Sequence, residues 1–306
     1  MLHRKQWRLV FTAIASIAFV SLFGAGCDVT STIPIEEPNP GLELCDASNE
    51  ARNHAFSAPA IIDNHYLPLT PGMQLILDGE ADRGSGVLDH RVIFTVTEVT
   101  KVIDGVRTLV VWDRDYNAGE LAEQEIAFWA QDDDGNVWNF GEYPEEYEDG
   151  EFVGAPDTWL HGLADANAGL HMPKNPQVGA QYLQGWAPDV DFLDCQRIAL
   201  MEQQTCVPYN CYVNVIITEE WAPFEGPGKQ LKYYAPGVGI VQVGAIEDPE
   251  AEVLLLVNVI QLTPETLAEA NRVALWLDSR AYENAEIYRE TQPAEWLPAM
   301  TRTAQR

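Results

Sequence analysis

Residues 130–142 read AQDDDGNVWNFGE. Three consecutive carboxylates, Asp132, Asp133 and Asp134, have the chemistry to hold a hard cation, to share acid–base work or to cap a tight turn. An EF-hand loop needs oxygen ligands at its first, third and fifth positions and glycine at its sixth. With Gly135 sixth, Ala130 falls first and offers no ligand. Asp134-Gly135-Asn136 instead tolerates left-handed backbone between a strand ending at Gln131 and one starting at Val137. The expectation is a hairpin turn, with a weak surface calcium site as the alternative.

The strand after the turn alternates, and simple alternation puts Trp138, Phe140 and Glu142 on one face. A carboxylate beside two rings must be solvated, paired or raised in pKa unless it is an exposed strand end. The chain holds 9 tryptophans. Large rings fill the inside of a curved sheet, and rings beyond what the core requires stack on ligands. The candidate lining set is Trp112, Trp129, Trp138, Phe140, Glu142 and Trp186. His161 and His171 lie near Asp165 and are the other groups capable of chemistry. With 47 acidic residues, some carboxylate pair will always sit at a glycosidase spacing, so abundance removes that signal. The chain has no G-x-S-x-G, H-E-x-x-H, P-loop, G-x-G-x-x-G or C-x-x-C-H pattern. No catalytic residue, metal site or cofactor is expected.

Positioning these side chains falls to β-structure. Strands are expected over residues 73–80, 91–100, 108–112, 125–131, 137–142, 181–186, 212–220, 229–235, 238–246 and 252–262, from β-branched alternation and turn residues. Hairpin signals stand at Ile103-Asp104-Gly105 and Glu148-Asp149-Gly150. The connections are too short for parallel crossovers. The expected fold is mainly β, a curved antiparallel meander sheet or open barrel with a C-terminal helical segment. Residues 154–180, rich in Gly, Pro, Ala and Asn, read as a long covering loop. Thr263-Pro264-Glu265 is a helix start, and Leu267, Ala270, Ala274, Leu277 and Ala281 form an apolar stripe.

The first residues, MLHRKQWR, carry Arg4, Lys5 and Arg8 and precede an uncharged apolar run over 9–23, the pattern of an export signal. Gly24-Ala25-Gly26-Cys27 then resembles the lipobox of bacterial lipoproteins, departing from it at Gly24, where leucine is usual. That resemblance implies cleavage after residue 26 and acylation of Cys27. The organisation expected is a signal peptide over 1–26, a lipid anchor and tether over 27–59, an antiparallel β domain over 60–262, one or two helices over 263–290 and a frayed tail over 291–306. The net charge is −29 among 306 residues, which argues against nucleic acid and against lying flat on anionic lipid. Membrane contact is then expected through the acyl chains only. Four cysteines remain, Cys45, Cys195, Cys206 and Cys211, and an exported setting favours disulfides over metal binding. The pairing preferred is Cys206 with Cys211 and Cys45 with Cys195.

Three stretches also form an ordered set: Asn64 to Gly72 (NHYLPLTPG), Asp132 to Glu142, and Lys232 to Ile240 (KYYAPGVGI). Together they resemble a family of exported bacterial proteins without an assigned activity, whose pattern reads N-x-Y-x-P-L-x-P-G, D-x-D-G-N-V-W-x-F-G-E and K-Y-Y-A-P-G-V-G. The resemblance covers residues 60–245 and departs at Asn139 and in the stretch from Cys195 to Cys211. It supplies no catalytic residues. The Y-A-P-G-V-G piece is also similar to a late hairpin of LolA-like carriers, and Pro236-Gly237 suits the corners of a type II turn. The functional expectation is an envelope-anchored lipoprotein that binds an apolar or glycan-like ligand, or a partner protein, in a concave aromatic face. The alternatives are a hydrolase or lyase using acids and histidines from 142 to 171, and a purely structural envelope protein.

Overall fold

A computed structural model describes residues 45, 50–84, 86–224 and 228–296. The signal segment, Cys27 and the end of the tail lie outside the described residues. Twelve strands form the main body: β1 (Met73–Asp82), β2 (Val87–Ile103), β3 (Val106–Asn117), β4 (Glu120–Gln131), β5 (Val137–Glu148), β6 (Asn167–Met172), β7 (Gln181–Ala187), β8 (Phe192–Cys206), β9 (Cys211–Trp221), β10 (Lys229–Ala235), β11 (Gly239–Ile246) and β12 (Val253–Gln261). Each pairs antiparallel with its neighbour in sequence, β12 returns to pair with β1, and β6 pairs with β5 to close the barrel. Closure leaves the barrel wall no free edge of its own.

The tight turns follow from backbone chemistry. Asp104-Gly105, Ala118-Gly119 and Asp149-Gly150 all have both residues at positive φ, as the two-residue turns that match strand twist require.

Alternate residues on the strands fill the lumen, among them Leu75, Leu77, Val92, Phe94, Val96, Leu109, Val111, Ala127 and Trp129. The outer face of β2–β4 is buried as well, beneath helix α1 (Pro264–Asn284), and that of β5 beneath His54 and Phe56, with its Tyr143–Glu145 end meeting α1. Val99, Val110, Ile126, Phe128, Ala130, Trp138 and Phe140 belong to this second layer, together with Ala274, Leu277 and Ala281 of α1. Burial on both faces explains why Ala127-Phe128-Trp129-Ala130 is continuously apolar. The helix starts as expected, with the Thr263 hydroxyl accepting from the amide of Thr266 at 3.3 Å. It is fastened by a buried cation. The Lys101 ammonium reaches Asp278 at 2.9 Å, the Tyr282 hydroxyl at 3.1 Å and the Gln292 carbonyl at 2.8 Å. One α-helix forms rather than two, followed by a single 3-10 turn over Glu286–Glu290. Glu295–Trp296 then pairs with β2, where a frayed tail was expected.

Two strands depart from the sequence reading. Within the expected covering loop over 154–180, Asn167–Met172 is the strand that closes the barrel, and Trp159–Leu160 pairs with β5. Asn-Ala-Gly-Leu-His-Met lacks the β-branched signal, and Gly169 sits where the backbones crowd: a Cβ there would lie 1.9 Å from the Gln184 carbonyl carbon. The other is β8, whose run from Asp194 to Thr205 mixes polar and apolar residues around three register shifts with β9.

Candidate functional site

The aspartate trio forms a turn, and its first member is saturated. The Asp132 carbonyl accepts from Gly135 N, and its amide donates to Asn136 O, both at 3.0 Å. Its buried carboxylate accepts from Asn136 N at 2.8 Å, from Asn136 Nδ2 at 2.8 Å and from the Trp138 indole at 2.9 Å. Asp133 is taken by the Ser57 amide at 2.8 Å and hydroxyl at 2.7 Å. His54 Nδ1 stands 2.9 Å from Asp132 and 3.9 Å from Asp134, the one His–Asp grouping of metal-ligand geometry among the described residues. The Asp132 oxygen facing it already serves two other donors. This arrangement staples residues 54–57 to the β4–β5 turn.

The rings of the candidate set do not share one face. Trp138 and Phe140 point out of the barrel, against His54 at 4.8 Å and Phe56 at 5.5 Å between ring centroids. Trp112 is also on the outer wall, with the Arg114 guanidinium 3.9 Å from its ring centre. Trp129 points into the lumen, 4.8 Å edge-to-face from His171. Glu142 does not share the face of Trp138 and Phe140. A bulge at Phe140-Gly141 brings Glu142 into register with Ala127, a lumen residue, and its carboxylate accepts from the Trp159 indole at 2.9 Å. Period-two alternation cannot anticipate that reversal, although Gly141, at φ 136°, is the residue that permits it.

His161 and His171 fall on opposite sides of the wall. His161 Nδ1 accepts from the Ala168 amide at 3.0 Å, its Nε2 lies 3.7 Å from Asp104, and burial holds its pKa below the ordinary histidine value. His171 belongs to a lumen network. Its Nε2 is 3.1 Å from the Tyr234 hydroxyl and its Nδ1 3.2 Å from Gln184 Nε2. Tyr234 donates to Glu220 at 3.3 Å, and Glu220 pairs with Lys232 at 2.5 Å. Burial alone would raise Glu220, but Lys232, with His171 and hydrogen bonds, holds it below the usual carboxylate range. A second lumen group joins Glu252 to His90 at 2.9 Å and to Gln230 at 2.6 Å. Apart from His171, the sequence reading did not single out these residues, although Gln230, Lys232 and Tyr234 carry a period-two signal that was legible as one face.

Two spaces border these side chains. The lumen cavity holds about 20 Å³, room for roughly one water, between Leu67, Leu75, Phe94, Trp129, His171 and Ile240. On the outer wall a groove of about 290 Å³ is lined by Trp186, Leu183, Leu193, His161, Asn167 and Arg52. Its end is built on Cys45, which is bonded to Cys195 of β8 with an S–S distance of 2.11 Å. Cys206 and Cys211 are bonded across the β8–β9 hairpin at 2.07 Å.

Neither a protein-family model nor a curated protein sequence matches the chain. Two solved structures are similar at low identity. One is provisionally described as an exported protein with a YmcC-like fold, from Bacteroides fragilis; it has 13% identity, a TM-score of 0.35, and the match covers 64% of this chain and 99% of that one. The other is provisionally described as a lipoprotein, from Parabacteroides distasonis, with 12% identity, a TM-score of 0.31, and coverage of 64% and 99%.

Proposed function

We propose that the protein is an exported barrel of the bacterial envelope, tethered through acylated Cys27, that binds a glycan-like ligand without transforming it. The observation that carries this reading is the position of Trp186. Of the candidate rings, Trp129 is consumed by the lumen, Trp138 and Phe140 by the outer layer against His54 and Phe56, and Trp112 stacks with Arg114. Trp186 is half-buried and borders the outer groove. An indole platform flanked by planar polar groups, here Arg52, Asn167 and His161, suits a sugar ring with an apolar face and a hydroxyl edge. The groove lies just under the usual size of a small-ligand pocket, about 300–1,000 Å³. The basic n-region, apolar run and Cys27 support export and anchoring. A hydrolase built on the 142–171 stretch has less support, because its histidines face opposite sides of the wall.

The test is calorimetry of the mature protein against a panel of envelope oligosaccharides, together with an intact mass of native material. Binding is expected, and Trp186→Ala should weaken it by about tenfold, the loss of one aromatic contact near 1.4 kcal/mol. Equal affinity of wild type and Trp186→Ala, or no saccharide binding at all, refutes the groove. A native mass without acyl chains refutes the anchor.

A further inference from the structure

The outer groove has a direction. Leu183 is in register with Cys195 and Trp186 with Leu193, so the groove runs along β7 from the Cys45–Cys195 bridge toward Trp186. Asn167 of β6 stands opposite Trp186 on the other side. At about 290 Å³ the space is small for a ligand pocket. A longer guest must therefore continue past Trp186 over the outer wall.

A second ring stands there. Trp221, the last residue of β9, is in register with Cys195. Three residues further on, the Phe224 ring lies 6.0 Å from Trp186 between centroids, with the two planes tilted by 46°. Phe224 is 55% exposed, and neither it nor Trp186 belongs to any of the three core clusters. A scattered apolar residue on a surface needs no explanation. Here, however, the exposed ring adjoins the one candidate ring that borders the groove, and both are in excess of what the core requires.

The charges around this strip favour an uncharged guest. Arg52 Nε pairs with Glu50 at 2.5 Å, the Lys229 ammonium lies 5.1 Å from the Trp221 ring centre and 3.5 Å from Glu219, and Asp104 faces His161 at 3.7 Å. Asp189 and Asp191, exposed on the turn that follows Trp186, add negative charge to a chain of net charge −29. An acidic sugar approaches this face against the field. The Asn167 amide, the His161 ring and the Arg52 guanidinium still offer hydrogen bonds to hydroxyl groups.

We propose that the groove and the surface beside it form two adjoining sugar subsites, Trp186 serving the first and Phe224 the second, for a neutral oligosaccharide of two or more units. The inference rests on the glycan reading of the groove. Each ring offers an apolar face to one pyranose, and the 6.0 Å between them is comparable to the step from one sugar to the next. The second subsite supplies length selectivity, because a monosaccharide can use only one ring at a time.

The test is calorimetry of the mature protein with two neutral series, N-acetylglucosamine with its β-1,4-linked dimer and trimer, and glucose with maltose and maltotriose. Trigalacturonate is the acidic control. In the series that binds, affinity should rise about tenfold from one unit to two, the equivalent of one added aromatic contact, and trigalacturonate should bind at least tenfold more weakly than the neutral trimer. Phe224→Ala should remove the gain and leave monosaccharide affinity unchanged, Phe224→Tyr should retain it, and Trp186→Ala should weaken every length. Binding that depends on Trp186 but not on length, or a gain that survives Phe224→Ala, overturns the second subsite and leaves the groove standing. Trigalacturonate binding as tightly as the neutral trimer overturns the neutral class. Absence of binding in both series overturns the subsites together with the groove. The length series of the wild type decides the matter even if a variant fails to fold.

Discussion

Replacing Lys101 by Met tests how α1 is held on the barrel. The ammonium is fully buried, bonds to Asp278, Tyr282 and the Gln292 carbonyl, and lies 4.1 Å from the centre of the Tyr288 ring. Burial lowers the Lys101 pKa even though Asp278 opposes the shift. Methionine has nearly the volume of lysine, so the apolar packing survives and the charge is what is lost. Asp278 then remains buried, with the Tyr288 hydroxyl at 2.6 Å and the Ala294 amide at 2.9 Å but no counter-ion. Breaking one side of a buried pair costs about 3–5 kcal/mol, which for a domain of this size lowers Tm by roughly 6–20 °C. Lys101→Met/Asp278→Leu removes both charges and should recover most of that loss, since an apolar replacement of a buried pair is often neutral. Equilibrium urea denaturation of the wild type, both single variants and the double variant measures the coupling. A single variant within about 1 kcal/mol of wild type, or a double variant as unstable as the sum of the singles, would refute the argument that the pair fastens the helix.

Gly237 stands at φ 73° after Pro236, and the Val238 amide donates to the Ala235 carbonyl at 3.1 Å, as a type II turn requires. Since open space surrounds a Cβ there, Gly237→Val should cost about 1–3 kcal/mol through backbone strain alone; an unchanged melting temperature refutes the turn assignment. For His90, burial lowers the pKa but the hydrogen bond to Glu252 and the charge of Asp115 outweigh it, against opposition from Arg83, so the net shift is upward. A raised pKa contributes stability that is complete below the unfolded value of about 6.5 and is lost as pH rises through the folded value. His161 shifts the opposite way and acts below that window. Stability should therefore decline from about pH 6.5 upward, and His90→Gln should flatten the slope; an unaltered slope refutes the assignment. Cys45–Cys195 spans 150 residues and Cys206–Cys211 spans 5, so chain entropy predicts losses of about 5 and about 2 kcal/mol when each is replaced by serines. Equal losses in urea denaturation would contradict that ordering.

The hairpins were legible because their turns are chemical statements: Asp104-Gly105 and Asp149-Gly150 need positive φ, and the sequence supplies residues that accept it. The start of α1 was legible for the same reason at Thr263-Pro264. What escaped the reading depends on tertiary crowding. Gly169 marks a close backbone approach, yet in sequence it resembles loop composition. The polar lumen face of β10 looks like a solvent face, because alternation reports that two sides differ and not which one is inside. Burial on both sides of β2–β5 blurs even that, so Trp138 and Phe140 could be paired on one face but not assigned to the outer wall. Glu142 was misassigned through one extra residue at Gly141 that exchanges the two sides. The site around Trp186 draws on Arg52, His161 and Asn167, which come from three separate segments, and Asn167 reaches Trp186 through the pairing of β6 with β7.

The bond between Cys45 and Cys195 also has a mechanical meaning. A pull delivered along the chain from its N-terminal side enters the molecule at β8, on the wall beside the outer groove, and not at β1. Residues 46–72 are bypassed as a route for force. Reducing that single bond would move the point of loading from β8 to the staple that holds residues 54–57 on the β4–β5 turn.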